Sequence, residues 1–184
     1  MSDFPTHTKE TAPEAAKAVL DAAEKAYGMV PNLHRKMAES PALLEGYWQL
    51  SQIFSSSSLT AIEQQVVLIA ASVTNNCTYC VGAHSVLADM VDTPAEVTEA
   101  LRTGEVIPDT RLQALRRFTQ SVVITRGWVH KSEVDVLLAE GYTRAQVLEV
   151  ILGVGLKTLS NYTNHLVDTE LDIAFQGRVW KQAA

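Results

Sequence analysis

Residues 59–73 read Leu-Thr-Ala-Ile-Glu-Gln-Gln-Val-Val-Leu-Ile-Ala-Ala-Ser-Val. Thr60 and Glu63 have the spacing of a capping box, in which the hydroxyl and the carboxylate each bond a backbone N–H at a helix start. The apolar residues that follow recur every three or four positions, as on one face of a helix. The stretch therefore predicts a helix over 60–74, and the nearly continuous apolar run 66–71 predicts that this helix is buried.

Helix start and stop signals recur along the rest of the chain. Further capping boxes are indicated at Thr11, Thr93 and Thr143, and prolines that follow Ser40 and Thr93 suit a first helical position. No segment alternates between apolar and polar residues for long, so we predict an all-α fold. The predicted helices lie near 12–27, 31–39, 41–54, 60–74, 78–91, 94–103, 110–126, 131–140 and 144–165. Glycines that suit helix ends follow at Gly28, Gly104, Gly127 and Gly141.

The chain has 184 residues, of which 47% are hydrophobic and 20% charged, and this predicts one domain over 1–184 with a flexible segment over 1–10. The net charge of -6 excludes nucleic acid and anionic membranes as expected partners. No apolar segment approaches the roughly 20 residues that span a bilayer, and no signal peptide is visible. We therefore expect a cytoplasmic protein without a membrane partner.

Two segments, 66–71 and 147–156, are apolar on nearly all sides of their predicted helices. A helix of this kind is buried. The pattern favours a homo-oligomer in which another subunit covers part of this surface. The alternative is a central helix that is buried within a single chain.

The chemistry is concentrated in Cys77-Thr-Tyr-Cys80-Val-Gly-Ala-His84, which contains the only two cysteines of the chain. Residues three and four apart share one face of a helix, so both thiols and the imidazole are expected along one stripe. Asn75 and Asn76 precede the motif and could cap its helix, and the helix dipole would then favour a thiolate. His84 lies one turn from Cys80 and could accept the thiol proton.

This spacing makes Cys80 the candidate nucleophile and Cys77 the resolving thiol. A peroxide would oxidise Cys80 to a sulfenic acid, Cys77 would condense with it to a disulfide, and an external dithiol would reset the pair. Two alternatives remain open. A zinc site would need a fourth ligand that the motif does not supply, and the thiols could instead be packed as small apolar groups. We expect neither a metal nor another cofactor.

The remaining candidate residues are expected to be structural. His165, with Asn161 and Asn164, is expected in a polar network or an interface. His34 and His130 lie near predicted helix boundaries and are expected to be solvated. Tyr79, between the two cysteines, either shields the thiols or shapes access to them.

The segment from Leu59-Thr-Ala-Ile-Glu63 through the cysteine motif resembles the core of the carboxymuconolactone decarboxylase family, on its alkylhydroperoxidase (AhpD-like) branch. The stretch 153–165 also resembles that branch. The resemblance implies an AhpD-like helical domain, assembly into a homotrimer or hexamer, and thiol-dependent reduction of a hydroperoxide substrate. It implies attack by Cys80, resolution by Cys77, a proton relay through His84, and a lipoyl-type reductant.

One residue departs from the family pattern. The glutamate that the resemblance implies twelve residues before the first cysteine is Gln65 here. An amide can orient His84 but cannot take up a proton. Glu63 is expected to serve the capping box, and Glu45 could approach the site from the preceding helix. Two rival functions therefore stay open: a redox-sensing or thiol-exchange protein with low turnover, and a decarboxylase or hydrolase on the same fold.

Overall fold

A computed structural model describes residues 4–182 of the chain. The regular secondary structure of these residues is helical, with no strand among them. The α-helices are α1 Glu14–Tyr27, α2 Asn32–Met37, α3 Pro41–Ser55, α4 Ala61–Thr74, α5 Thr78–Met90, α6 Ala95–Thr103, α7 Thr110–Thr125, α8 Lys131–Ala139 and α9 Arg144–Val167. A C-terminal 3₁₀ helix follows at Ile173–Arg178. The all-α prediction is confirmed, whereas the 3₁₀ helix has no counterpart among the predicted elements.

The predicted helix caps are right where a threonine directly precedes the helix. Thr60 and Thr143 form complete capping boxes with Glu63 and Gln146. The boxes predicted at Thr11 and Thr93 are wrong, because α1 and α6 begin only after a proline that itself occupies the N-cap position. A residue that precedes proline is disfavoured in the helical region, which keeps Ala12 out of α1. Pro94 is the N-cap of α6, whereas Pro41 is the first helical residue after its N-cap Ser40, as predicted.

Helix α4 lies at the centre of the chain and packs against α5, α7 and α9. Residues 66–71 are all buried within this one chain. Their apolar character is therefore accounted for by a central helix, and the predicted oligomer remains a prediction. No helix within residues 4–182 is both long and apolar enough to cross a membrane.

The N-terminal segment that the sequence predicts to be flexible is packed over residues 4–10, whereas residues 1–3 lie outside the described part. His7 pairs with Glu39 at 2.7 Å, and the guanidinium of Arg35 donates to the His7 carbonyl at 2.8 Å. Lys36 donates to the carbonyl of Phe4 at 2.6 Å. Polar contacts to α2 and the turn after it thus hold this segment in place, although no pattern in the sequence predicts these contacts.

The close packing of α9 against α3 and α4 depends on Gly153. A Cβ at this position would lie 2.7 Å from Cγ1 of Val67 and 2.8 Å from Cε2 of Phe54. Both neighbours are buried, so we expect Gly153→Ala to lower the free energy of unfolding by about 1–3 kcal/mol. Gly155 is the matched control, because nothing lies within 4 Å of its Cβ position. Gly155→Ala should raise stability by about 0.5–1 kcal/mol through helix propensity alone.

Urea unfolding monitored by circular dichroism measures both variants. Equal effects of the two substitutions would contradict the packing that we describe around Gly153.

Candidate active site

A tight turn between α4 and α5 positions the cysteine motif. The N–H of Asn76 donates to Val73 at 3.0 Å and the N–H of Cys77 donates to Ser72 at 2.9 Å, which is the Schellman pattern at a helix C-terminus. Asn76 adopts the left-handed conformation, with φ of 56°. The predicted capping of α5 by Asn75 or Asn76 is therefore wrong, because both residues end α4, and Cys77 itself is the N-cap of α5.

Both thiols are free and almost completely buried, each with 1% of its surface exposed. The amide nitrogen of Asn164, on α9, donates to Sγ of Cys80 at 3.2 Å and to Sγ of Cys77 at 3.6 Å. The hydroxyl of Ser160, one turn earlier on α9, lies 3.7 Å from Sγ of Cys80. Helix α9 thus supplies hydrogen-bonding groups directly to the sulfur atoms.

A buried lysine joins this group. Nζ of Lys157, a residue that is 1% exposed, lies 2.9 Å from Nε2 of His84. The other ring nitrogen, Nδ1, lies 3.0 Å from Oε1 of Gln65. Because a lysine ammonium can only donate, Nε2 accepts, and Nδ1 carries the proton that is shared with Gln65. The imidazole is thus held between the lysine and the amide.

The surroundings shift the pKa values of the two thiols in opposite directions. Burial alone would raise the pKa of Cys80, but a hydrogen bond from Cys77 and the charge of Lys157 hold it well below the ordinary value for a thiol. The hydrogen bond to Cys80 and burial together raise the pKa of Cys77. Burial, with a smaller contribution from Lys157, keeps the pKa of His84 well below its ordinary value. The arrangement thus favours a thiolate at Cys80, a thiol at Cys77 and a neutral imidazole.

Cys80, His84 and Lys157 border a cavity of about 370 Å³. Its walls are mainly apolar, and they include the rings of Tyr27, Tyr47, Phe54, Tyr79 and Phe175. No aspartate or glutamate is among the lining side chains that the structure describes. Glu45 is exposed and accepts from Gln49 on its own helix, so it does not approach the site as the sequence allowed.

Tyr79 links the cysteine motif to the C-terminal segment. Its hydroxyl donates to Asp172 at 2.6 Å and accepts from the N–H of Leu33 at 3.3 Å. Asp172 also accepts from the N–H of Asn32 at 3.0 Å. The ring of Tyr79 forms part of the cavity wall while its hydroxyl ties together α2, α5 and the segment that leads into the 3₁₀ helix.

The burial of His34 and His165 differs from what the sequence predicts. His34 is 4% exposed and borders the cavity, so the prediction of a solvated side chain is wrong, because the rings of Tyr27, Tyr47 and Trp48 surround it. His165 is exposed. Asn161 does lie in a buried polar network, accepting from Asn75 at 2.9 Å. The described residues hold no group of three His, Cys, Asp or Glu side chains placed to bind a metal.

Sequence reasoning missed Lys157 and Ser160 as site residues. The sequence feature that could have identified them is their spacing on α9. Positions 153, 157, 160, 161 and 164 fall on one face of this helix. That face would be apolar in an ordinary buried helix, and a lysine within it is costly unless it has partners. A polar stripe on an otherwise apolar helix could therefore have identified this second half of the site.

The central segment of the chain is similar to a known family. Residues 41–121 match the sequence pattern of the carboxymuconolactone decarboxylase family. The matched segment runs from the start of α3 to within α7, and it contains the cysteine motif and Gln65. Lys157, Ser160 and Asn164 lie beyond it.

Solved structures with the same fold cover nearly the whole chain. An uncharacterized peroxidase-related protein from Ralstonia eutropha, described as an alkylhydroperoxidase AhpD core, aligns with a TM-score of 0.84 and 21% identity over 97% of both chains. A peroxidase-related protein from Silicibacter aligns with a TM-score of 0.82 and 18% identity over 96% of this chain and 93% of its own.

The debrominase Bmp8 aligns with a TM-score of 0.81 and 16% identity over 97% of this chain and 96% of its own. A cysteine variant of Bmp8 has been solved with 2,3,4-tribromopyrrole. No curated protein sequence matches the chain. At these identities the alignments establish the AhpD-like fold, and that fold supports more than one activity.

Proposed function

We propose that this chain, whose central segment matches the carboxymuconolactone decarboxylase family, is a thiol-dependent hydroperoxide reductase. The observation that carries the proposal is Cys80, whose sulfur accepts a hydrogen bond from Asn164 and borders an apolar cavity. Against the effect of burial, Cys77 and the charge of Lys157 hold the pKa of this thiol well below its ordinary value. A thiolate at such a position can attack a weak O–O bond of an apolar molecule.

The first step oxidises Cys80. Its thiolate attacks the terminal oxygen of the hydroperoxide, so that an S–O bond forms, the O–O bond breaks, and an alkoxide leaves. The alkoxide takes a proton from the ammonium group of Lys157 and becomes an alcohol. His84, which accepts from Lys157 and is fixed by Gln65, holds that ammonium group beside the cavity. Lysine thus supplies the acid that a carboxylate would supply in the family pattern.

The second step forms the disulfide. The sulfur of Cys77 attacks the sulfenic acid of Cys80, the S–S bond forms, and hydroxide leaves as water with the proton of the Cys77 thiol. An external dithiol then returns two electrons and two protons, and one of these protons restores the ammonium group of Lys157. The cycle converts one hydroperoxide and one dithiol into an alcohol, water and a disulfide.

The burial of both sulfurs limits which reductants can reach them. Each cysteine is 1% exposed, so a thiol on the surface of another globular protein cannot approach them directly. A dithiol on a slender arm, such as a lipoyl group, could reach Cys80 through the cavity. A lipoyl-type reductant is therefore the electron donor that this geometry favours.

Reductive dehalogenation is a second candidate, which the aromatic lining of the cavity favours. In that reaction the Cys80 thiolate would take the halogen from an aromatic carbon, a proton would replace it, and attack by Cys77 would release halide and form the same disulfide. Bmp8 is a debrominase of this fold. Bromide release from 2,3,4-tribromopyrrole, measured beside hydroperoxide consumption, discriminates between the two functions.

Intact-protein mass spectrometry tests the proposed function. One equivalent of cumene hydroperoxide added to the reduced protein should yield one equivalent of cumyl alcohol and a protein lighter by two hydrogens. Reduction by dihydrolipoamide should restore the original mass. An unchanged mass, with both cysteines still open to alkylation, would contradict the proposal.

A further inference from the structure

His34 occupies an unusual position for a polar side chain. It is 96% buried, it borders the cavity, and three aromatic rings lie around its imidazole. The centroids of Tyr27, Tyr47 and Trp48 lie 6.0, 5.5 and 6.1 Å from that of the imidazole. These rings can pack against it but offer it no hydrogen bond through their faces.

Neither ring nitrogen of His34 has a hydrogen-bond partner among residues 4–182. Burial lowers the pKa of His34 to about 4, so at neutral pH the ring offers one N–H donor and one acceptor nitrogen. A buried polar group without a partner is costly, and such groups are uncommon in folded proteins.

Several other polar side chains of the cavity wall are paired within the chain. The partners are Asp172 for Tyr79, the carbonyl of Leu59 for Gln64, the carbonyl of Gln52 for Ser55, and His84 for both Gln65 and Lys157. Among the cavity-lining residues that the structure describes, His34 is the one whose fully buried polar atoms lack a hydrogen-bond partner. A bond to a molecule in the cavity would remove that cost.

We propose that His34 hydrogen-bonds the substrate, which is a neutral, mainly apolar hydroperoxide with one hydroxyl, carbonyl or ring N–H group apart from its O–O bond. The inference rests on the proposed function for the hydroperoxide itself. A carboxylate is disfavoured at this position, because an uncharged imidazole cannot balance it and Lys157 already serves Cys80.

The dimensions of the cavity set the size of such a molecule. Tyr47 packs against His34 through its ring, and both residues line the same cavity as Cys80. A cavity of about 370 Å³ has room for a molecule built on a single substituted ring. We expect such a molecule to contact both His34 and Cys80.

Binding of two product alcohols tests the inference without turnover. The probes are 2-(4-isopropylphenyl)propan-2-ol, with one hydroxyl, and 1,4-bis(2-hydroxypropan-2-yl)benzene, with a second hydroxyl at the opposite end of the ring. Their dissociation constants are measured on the reduced protein through the fluorescence of Trp48, whose ring contacts His34.

His34→Phe should weaken binding of the diol about tenfold more than binding of the mono-alcohol, since only the diol loses a hydrogen bond. His34→Gln keeps a donor and an acceptor and should restore part of the difference. His34→Phe should also raise the melting temperature by about 2–4 °C, because a buried polar group without a partner is removed. Equal losses for the two alcohols in His34→Phe would overturn the proposal.

Kinetics with the two parent hydroperoxides separate this inference from the proposed function. If His34 binds substrate, His34→Phe lowers kcat/KM more for the hydroxylated hydroperoxide than for its isopropyl analogue. If no hydroperoxide is consumed by the wild-type protein, the proposed function fails. In that case the alcohol-binding difference still decides whether His34 is a ligand-binding residue.

Discussion

Cys80→Ser is expected to abolish hydroperoxide consumption, with a loss of roughly three or more orders of magnitude in kcat/KM. A serine hydroxyl at this position keeps the volume of the side chain but is not ionised, and it is far less nucleophilic than a thiolate. Removal of a nucleophile from a covalent mechanism has effects of this order or larger. Stopped-flow consumption of cumene hydroperoxide by the reduced protein gives the rate constant.

Cys77→Ser is the matched variant, because it changes the other sulfur of the same turn. It should retain the first oxidation, so that one equivalent of alcohol forms and a sulfenic acid at Cys80 is trapped by dimedone. It should lose the disulfide and therefore the efficient recycling by a dithiol. If the wild-type protein and Cys80→Ser consume the hydroperoxide at equal rates, Cys80 is not the nucleophile. A sulfenic acid found at Cys77 in Cys80→Ser would reverse the two roles.

Lys157→Met should lower the rate of Cys80 oxidation by about 10²–10³-fold. The lysine places a positive charge in a nearly dry site beside the sulfur, and loss of a single stabilising donor in such a site has effects of this size. Methionine fills a similar volume without charge. Without the cation, burial dominates, and the pKa of Cys80 should rise to the ordinary value of about 8.5 or above.

The pH dependence of alkylation separates a charge effect from damage to the fold. In the wild-type protein the pKa of Cys80 lies well below the ordinary value, so alkylation by iodoacetamide should be nearly independent of pH between 7 and 9. In Lys157→Met the rate should be low at pH 7 and rise steeply with pH, as more of the thiol ionises. Lys25→Met, in the exposed last turn of α1, is the control and should match the wild type. A flat profile in Lys157→Met would show that another group sets the pKa of Cys80.

The fold could be predicted from the sequence because its signals are local. Each predicted helix occurs, and Thr60 and Thr143 cap theirs, because hydroxyl and backbone N–H are three residues apart and need no distant partner. The predicted caps at Thr11 and Thr93 are wrong because Pro13 and Pro94 take the N-cap positions of α1 and α6. The 3₁₀ helix lacks a periodic pattern, and contacts with α5 hold it in place.

The site could be predicted only in the part that one helix carries. Cys77 and Cys80 lie at the start of α5 with His84 one turn further on, as the spacing predicts, and Gln65 lies beside His84. The ring nitrogens of His84 bond Lys157 and Gln65, and not the Cys80 thiol as expected. Lys157 is 73 residues from the histidine that it contacts, and only the packing of α9 against the rest of the core brings the two together. His34 was expected in solvent because it lies near a helix boundary, and the rings that bury it come from two other helices, α1 and α3.

The position of Lys157 also bears on the reduction potential of the cysteine pair. While Cys80 is a thiolate, the buried cation has a counter-ion. Once the disulfide forms, the thiolate charge is gone and Lys157 has given its proton to the alkoxide, so only the reduced state keeps this stabilising pair of charges, which disfavours the oxidised state. A dithiol whose reduced form is selectively stabilised makes a strongly oxidising disulfide. We therefore expect the oxidised protein to accept electrons even from mildly reducing dithiols.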